Sequence, residues 1–360
     1  MDRQTSCRIL SLDGGGIRGL LTAIVLEELE RKLQVHNPTA LLKDYFDIIA
    51  GTSTGSLIAC AISQGLTASQ IKNLYLNNAA QIFPEYKLII NSIINRIRLG
   101  FSQPIFDGKG LNEVLRKEFN INFGTLQKPT LIISYDTYNR QSVVFKNTKI
   151  EHRDIPVWEI CRASSAAPIA FPAFVMQNPE FIEDWRSNGY EIPDGGIPLI
   201  DGGVVANNPA LCAIAERISW NDKLPNNPKF ADLIPQQVDT KNIIVASFGT
   251  GKYVKKIGLT EAKEWGIIEW VSPFKGIPIL DVLSDGAGDS VCYIAQQIIE
   301  NNFYRFQPEM AEEISSFSAN DKNIAAIADL AVKFIQQENF QTKLNQLVKE
   351  LNLLPSANLA

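Results

Sequence analysis

The sequence predicts one α/β domain with a helical C-terminal portion. Two apolar, strand-like runs each end in a glycine turn that opens into helix-compatible sequence: Arg8-Ile9-Leu10-Ser11-Leu12 before Asp13-Gly14-Gly15-Gly16-Ile17-Arg18-Gly19, and Phe46-Asp47-Ile48-Ile49-Ala50 before Gly51-Thr52-Ser53-Thr54-Gly55. A third buried run, Asn242-Ile243-Ile244-Val245-Ala246-Ser247-Phe248, also ends on glycine, at Gly249-Thr250-Gly251. Beyond residue 255 the spacing is mostly helical, over 260 to 271, 289 to 302, 321 to 337 and 340 to 352. With no internal repeat, low-complexity tract or linker, residues 8 to 255 read as one α/β unit and residues 256 to 360 as helices packed on it.

After the first glycine turn, Leu21, Ile24, Val25, Leu29 and Leu33 fall at helical spacing. A strand, glycine turn and helix in that order aim backbone N–H groups and a helix N-terminus at one spot, which suits an anion. Gly14-Gly15-Gly16-Ile17-Arg18-Gly19 also fits the dinucleotide fingerprint Gly-x-Gly-x-x-Gly. That rival, a nucleotide-binding module, requires a second strand ending in an acidic residue for the ribose. Here the next strand ends in the serine turn instead.

Within residues 86 to 103, Ile90, Ile93, Ile94 and Ile97 share one helical face and Lys87, Asn91, Asn95 and Arg98 the other. A surface helix on the core is the expectation, with an interfacial lid as its sharper alternative. Thr130-Leu131-Ile132-Ile133-Ser134-Tyr135 and Ser142-Val143-Val144-Phe145 read as neighbouring strands, and residues 158 to 167 as helix stopped by Pro168. Pro198-Leu199-Ile200-Asp201 reads as a strand before Gly202 and Gly203, and Asn208-Pro209 as the start of a helix carrying Leu211, Ile214 and Ile218. Trp265 and Trp270 are expected in the core.

The composition, 45% hydrophobic and 20% charged, excludes a disordered or fibrous chain. A net charge of -5 argues against a nucleic-acid polymer as partner, while leaving room for a local basic patch at a membrane. Five scattered cysteines without a Cys-x-x-Cys pair argue against a disulfide framework or structural zinc. With no apolar signal core at the N-terminus and no long uninterrupted apolar run, the expected location is cytoplasmic, with peripheral contact at the membrane.

The order strand, Gly51-Thr52-Ser53-Thr54-Gly55, helix is what a nucleophile elbow needs, because only glycines at the flanking positions admit the close strand–helix crossing. Ser53 is the candidate nucleophile. Its base is not an obvious histidine. The chain has two, His36 and His152; none follows Asp201, and His152 sits in polar Glu151-His152-Arg153-Asp154, where a solvated surface side chain is expected. A carboxylate can serve instead, being ionised at neutral pH, but its low ordinary basicity shifts weight to geometry and oxyanion stabilisation. Asp201, at the end of an apolar strand, is preferred over Asp194, whose Pro193-Asp194-Gly195-Gly196 context is a turn.

These stretches, together with Phe106-Asp107-Gly108-Lys109, Ala163-Ser164-Ser165-Ala166-Ala167-Pro168, Ile200-Asp201-Gly202-Gly203 and Ser247-Phe248-Gly249-Thr250-Gly251, resemble the patatin family of lipid acyl hydrolases, in family order over residues 8 to about 251. The resemblance implies a three-layer fold, a mostly parallel central sheet with helices on both faces. It implies a Ser53–Asp201 dyad, an oxyanion hole from Gly14, Gly15 and Gly16, and supporting roles for Gly19, Gly51, Gly55, Gly202 and Gly203. Arg18 would lie near the glycine loop, orienting an anionic group or tying the loop down. The implied substrates are membrane glycerolipids, cleaved without a metal or organic cofactor. Some bacterial patatin-like proteins that resemble this chain act in antiphage defence and are switched on by cyclic nucleotides, so a small-molecule activator is a further expectation. Ser56 departs from the glycine usual in plant patatins, and is expected to leave catalysis intact. The stretch from Tyr86 to Gln103 is longer than in plant patatins, so no family role carries onto it.

Overall fold

The computed structural model describes residues 6–84, 104–231, 237–253, 256–270 and 278–353, and the amphipathic stretch within residues 86 to 103 lies outside them. Among the described residues, eight strands form one sheet: β1 (Cys7–Leu12), β2 (Ile48–Thr52), β3 (Thr130–Asp136), β4 (Gln141–Lys146), β5 (Phe174–Met176), β6 (Ile197–Asp201), β7 (Ile243–Phe248) and β8 (Phe303–Phe306). They run in the order β5-β6-β3-β2-β1-β7-β8, with β4 also paired to β3. The centre, from β3 through β2, β1 and β7 to β8, is parallel throughout. Antiparallel strands are confined to the other side of the sheet.

The parallel strands are apolar on both sides because both faces are covered, and their period of two sorts side chains between two cores. Leu10, Leu12, Ile49, Ile132, Ala246 and Phe248 face one, which is filled by helices Gly19–Gln34, Thr54–Gln64, Ala68–Ile82, Asp321–Ile335 and Glu338–Asn352. Cys7, Ile9, Ile48, Ala50, Leu131, Ile243 and Val245 face the other, covered by helices Ala210–Ser219 and Pro278–Ile299. This is the three-layer α/β arrangement the sequence predicts.

The register of β3 decides where chemistry can happen. Its residues Leu131 to Asp136 pair with β4 along one edge. On the opposite edge, β2 runs parallel only as far as Thr52↔Ile133. Beyond that point β6 takes over the same edge in the opposite direction, with Asp201 opposite Ser134. A strand has two edges, so β2 and β6 must meet end to end, and both C-terminal ends arrive at the junction of Ile133 and Ser134. The sequence reading placed Asp201 at the carboxyl end of a strand in a parallel sheet. The strand end is as expected, but β6 is antiparallel to β3.

Beyond residue 255 the chain is not purely helical. β8 joins the sheet next to β7, and from it Arg305 donates to the Asp13 carboxylate, 2.9 Å from Nη1 to Oδ1, and to Ser247 Oγ at 2.8 Å. This buried ion pair sits at the root of the glycine loop, and removing one partner of such a pair costs about 3–5 kcal/mol. Trp265 and Trp270 lie outside both cores; they are half-buried and meet edge to face, with ring centroids 5.4 Å apart.

Candidate active site

β2 delivers Ser53 into a sharp turn. Its backbone has φ 53° and ψ -124°, a strained geometry for a residue with a side chain, and helix Thr54–Gln64 starts immediately after it. The flanking glycines are required by crowding: a Cβ on Gly51 would lie 2.2 Å from Gly55 O, and one on Gly55 2.1 Å from Leu12 O. Ser56, expected to be incidental, is fully buried, and its hydroxyl donates to Ser53 O at 2.6 Å, so it braces the turn. Thr52 Oγ1 donates to Ala206 O at 2.7 Å, tying the end of β2 to the segment that follows Asp201.

Asp201 is 5% exposed, its Oδ1 accepts from the Gly203 N–H at 2.7 Å, and the Ser53 side chain lies close enough to hold its pKa down. Burial raises its pKa, the Ser53 side chain and the Gly203 N–H offset this only in part, and the value is pushed up to about 6. The low basicity expected of a carboxylate is thereby corrected. Asp201 remains mostly ionised at neutral pH yet is a better proton acceptor than an ordinary aspartate. Asp194 stays in an exposed turn, as expected.

The glycine loop lies against Ser53, since a Cβ on Gly14 would approach Ser53 Cβ to 3.1 Å. The three amides are not equivalent. Gly14 N–H already donates to Asn207 O at 3.1 Å, so Gly14 is corrected from an oxyanion donor to an anchor of the loop, its own carbonyl accepting from Thr250 Oγ1 at 2.8 Å. Among the described residues, no protein acceptor takes the Gly15 or Gly16 N–H. The Thr54 N–H, the first amide of the elbow helix, has no intrahelical acceptor either. Sequence reasoning missed Thr54, although its position directly after the nucleophile was the available signal.

Gly19 opens its helix against Thr54 and Tyr75, whose hydroxyls bond to each other. Gly202 N–H donates to Ser164 O at 3.4 Å, and Gly203 N–H holds Asp201. Arg18 is half-buried with its Nη1 3.7 Å from Met310 Sδ, which favours the loop-anchoring expectation.

Neither histidine belongs to this site. His36 is exposed beyond the far end of helix Gly19–Gln34. His152, expected at the surface, is buried against Phe145 and Phe181. Its Nδ1 accepts from Lys146 N at 3.1 Å, leaving the proton on Nε2, 3.4 Å from Asp184 Oδ2. Burial lowers its pKa, so it is a neutral structural group. We expect His152→Gln to lower the melting temperature while changing ester kcat/KM per folded molecule by less than about twofold, as for a group outside the transition state. Parallel melting and ester assays check this, and a larger kinetic loss would return the histidine to the mechanism.

From Ser53 a small apolar cleft of about 40 Å³ runs between Leu57, Ile82, Leu111 and the rings of Phe83, Phe171 and Phe317. Phe83 packs on Phe171 and Phe317 at ring-centroid distances of 5.9 and 6.1 Å, forming an aromatic wall. The cleft therefore offers an apolar group a seat beside the Ser53 hydroxyl, next to Gly16 and Thr54. Among the described residues no group of three or more His, Cys, Asp or Glu side chains is arranged to hold a metal.

A family model described as patatin-like phospholipase matches residues 10–214. Patatin-like protein 2 of Arabidopsis thaliana is 32% identical over 320 residues, covering 84% of this chain and 75% of the relative. A potato relative, probable inactive patatin-3-Kuras 1 of Solanum tuberosum, is 32% identical over 276 residues, covering 74% and 68%. Among solved structures, VipD from Legionella pneumophila aligns over 96% of this chain and 67% of its own, at 12% identity and TM-score 0.44.

Proposed function

Because this chain belongs to the patatin-like phospholipase family, a family of lipid hydrolases, we propose that it cleaves fatty-acyl esters of membrane glycerolipids with Ser53 as nucleophile and Asp201 as its base. Membership alone does not decide activity, since one relative is described as probably inactive. The observation that carries the reading is the convergence of the strained Ser53 turn and the buried Asp201 where β2 and β6 meet, with Ser53 at the head of an apolar cleft.

In this mechanism Ser53 Oγ attacks the acyl carbonyl while its proton passes to Asp201. The N–H groups of Gly15, Gly16 and Thr54 receive the negative charge that develops on the carbonyl oxygen. Collapse breaks the bond to the glycerol oxygen, which leaves with the proton from Asp201. The acyl group stays on Ser53 until water, deprotonated by the same carboxylate, attacks the acyl carbonyl; the bond to Ser53 Oγ then breaks, Oγ takes the proton back from Asp201, and the fatty acid leaves. The substrate resides in a bilayer, so the reaction requires contact with a membrane surface. Among the described residues, no helix is long and apolar enough to cross one.

Mass spectrometry of products from mixed-lipid vesicles tests the proposal. Wild type should release free fatty acid and lysolipid, and Ser53→Ala neither. Cleavage on the headgroup side, or equal product from the variant, would overturn it. Since Asp201 works as a carboxylate, kcat/KM should climb tenfold per pH unit below about 6 and level off above it. A profile flat between pH 4.5 and 7 would remove Asp201 from the rate-determining chemistry.

A further inference from the structure

We infer that Ser164 is a positioning residue, whose hydroxyl and following turn set Ser53 opposite Asp201. The inference rests on the reading of Ser53 and Asp201 given above. Ser164 ends helix Val157–Ser164 and is fully buried. Its hydroxyl makes two hydrogen bonds of fixed direction: the proton goes to Ile133 O at 2.6 Å, so a lone pair accepts the Ser53 N–H at 2.8 Å. Ile133 lies where β2 and β6 meet on the edge of β3. Two bonds from the same turn reach the other candidate: Ser164 O accepts from Gly202 N at 3.4 Å, and Ala166 O accepts from Asp201 N at 3.0 Å. Two residues, Ser164 and Ala166, therefore hold the backbones of both Ser53 and the Asp201–Gly202 turn.

This arrangement answers a problem created by the topology. β2 and β6 abut end to end, so no ladder hydrogen bond joins them, and only their shared pairing with β3 within the sheet fixes their separation. Ser53, at positive φ, also has its N–H directed away from the helix that follows. The Ser164 hydroxyl satisfies that N–H and ties it to β3. Without it, the Ser53 N–H and the Ile133 carbonyl lose a partner in a buried place, and the turn can relax toward a less strained geometry. Displacements near 1 Å at a reacting group can cost about 100-fold in rate.

Ser164→Ala should therefore lower kcat for a short-chain p-nitrophenyl ester by about 30- to 100-fold with KM within about threefold, and slow fluorophosphonate labelling of Ser53 by the same factor. Ser164→Thr, which restores a hydroxyl, should recover at least about tenfold of that loss. Ser164→Cys keeps the volume with a weakly accepting sulfur; it should fold and still be slow, so the test survives if the alanine variant does not fold. Ser63→Ala is the structural control. Ser63 is equally buried in the elbow helix and bonded to Lys128 and Thr130, but touches neither candidate residue. It should lose melting temperature and keep wild-type kcat. Wild-type kcat and labelling in both Ser164→Ala and Ser164→Cys would overturn the inference, as would a loss matched by Ser63→Ala. Full activity in Ser53→Ala would instead defeat the catalytic reading itself, which separates the two failures.

Discussion

Ser53→Ala should reduce kcat/KM for a short-chain p-nitrophenyl ester by about 10⁵-fold, comparable to the loss when a serine hydrolase loses its nucleophile. The expectation follows from what remains after the substitution. The cleft still seats the acyl chain and the Gly15, Gly16 and Thr54 amides still face the carbonyl, but the carboxylate can act only on water. Circular dichroism should match wild type, because the flanking glycines, the Ser56 brace and the β2 register do not depend on the Ser53 hydroxyl. Activity within tenfold of wild type would mean that another group attacks the ester.

Asp201→Asn should cost about 10³- to 10⁴-fold and, unusually for a buried polar position, stabilise the protein near neutral pH. The folded pKa of about 6 lies above the ordinary 3.8, so the native state holds this proton more tightly than the unfolded chain. The stability gained from the protonated carboxyl is complete below about pH 4 and is lost as pH rises through 6. Above that, the buried carboxylate costs on the order of 3 kcal/mol. Asparagine keeps an oxygen for the Gly203 N–H and carries no charge. Its melting temperature should exceed that of wild type by a few degrees at pH 7.5, and the difference should vanish near pH 4. A variant less stable than wild type at both pH values would show that the carboxylate is not held at such a cost. Stability spent at a reactive group is the expected signature of a base tuned by burial.

The parts of this site that were legible in the sequence are local. Gly51-Thr52-Ser53-Thr54-Gly55 between an apolar run and a small-residue helix can hardly be built otherwise than as the elbow seen at Ser53, and the period of two in β1 and β7 sorts itself between two cores. What was not legible depends on distant pairing. Nothing around Asp201 says that β6 runs antiparallel and ends against β2, because that is decided by which stretch of the β3 edge β2 leaves open. Phe303-Tyr304-Arg305-Phe306, just past the helical spacing over 289 to 302, is short and carries a charge, so nothing marks it as a strand until Asp13 and Ser247 supply partners for Arg305. His152 looks solvated beside Glu151 and Arg153, and is buried only because Phe181 and Asp184 arrive from a later helix. The commitment of the Gly14 N–H to Asn207, about 190 residues away, has the same origin. Ser164 and Ser165 stand in a recognised stretch, but only the fold turns the first toward Ser53 and the second, its hydroxyl without a partner among the described residues, toward the cleft.

The central claim is that one serine, activated by one aspartate and no histidine, carries the acyl group. Peptide mapping of the full chain after reaction with a fluorophosphonate tests it most directly. The account expects a single adduct on the peptide containing Ser53, formed rapidly in wild type and in His152→Gln, and at least about 100-fold more slowly in Asp201→Asn. An adduct on another residue, or labelling of Ser53 that Asp201→Asn leaves unchanged while the histidine variant abolishes it, would contradict the account.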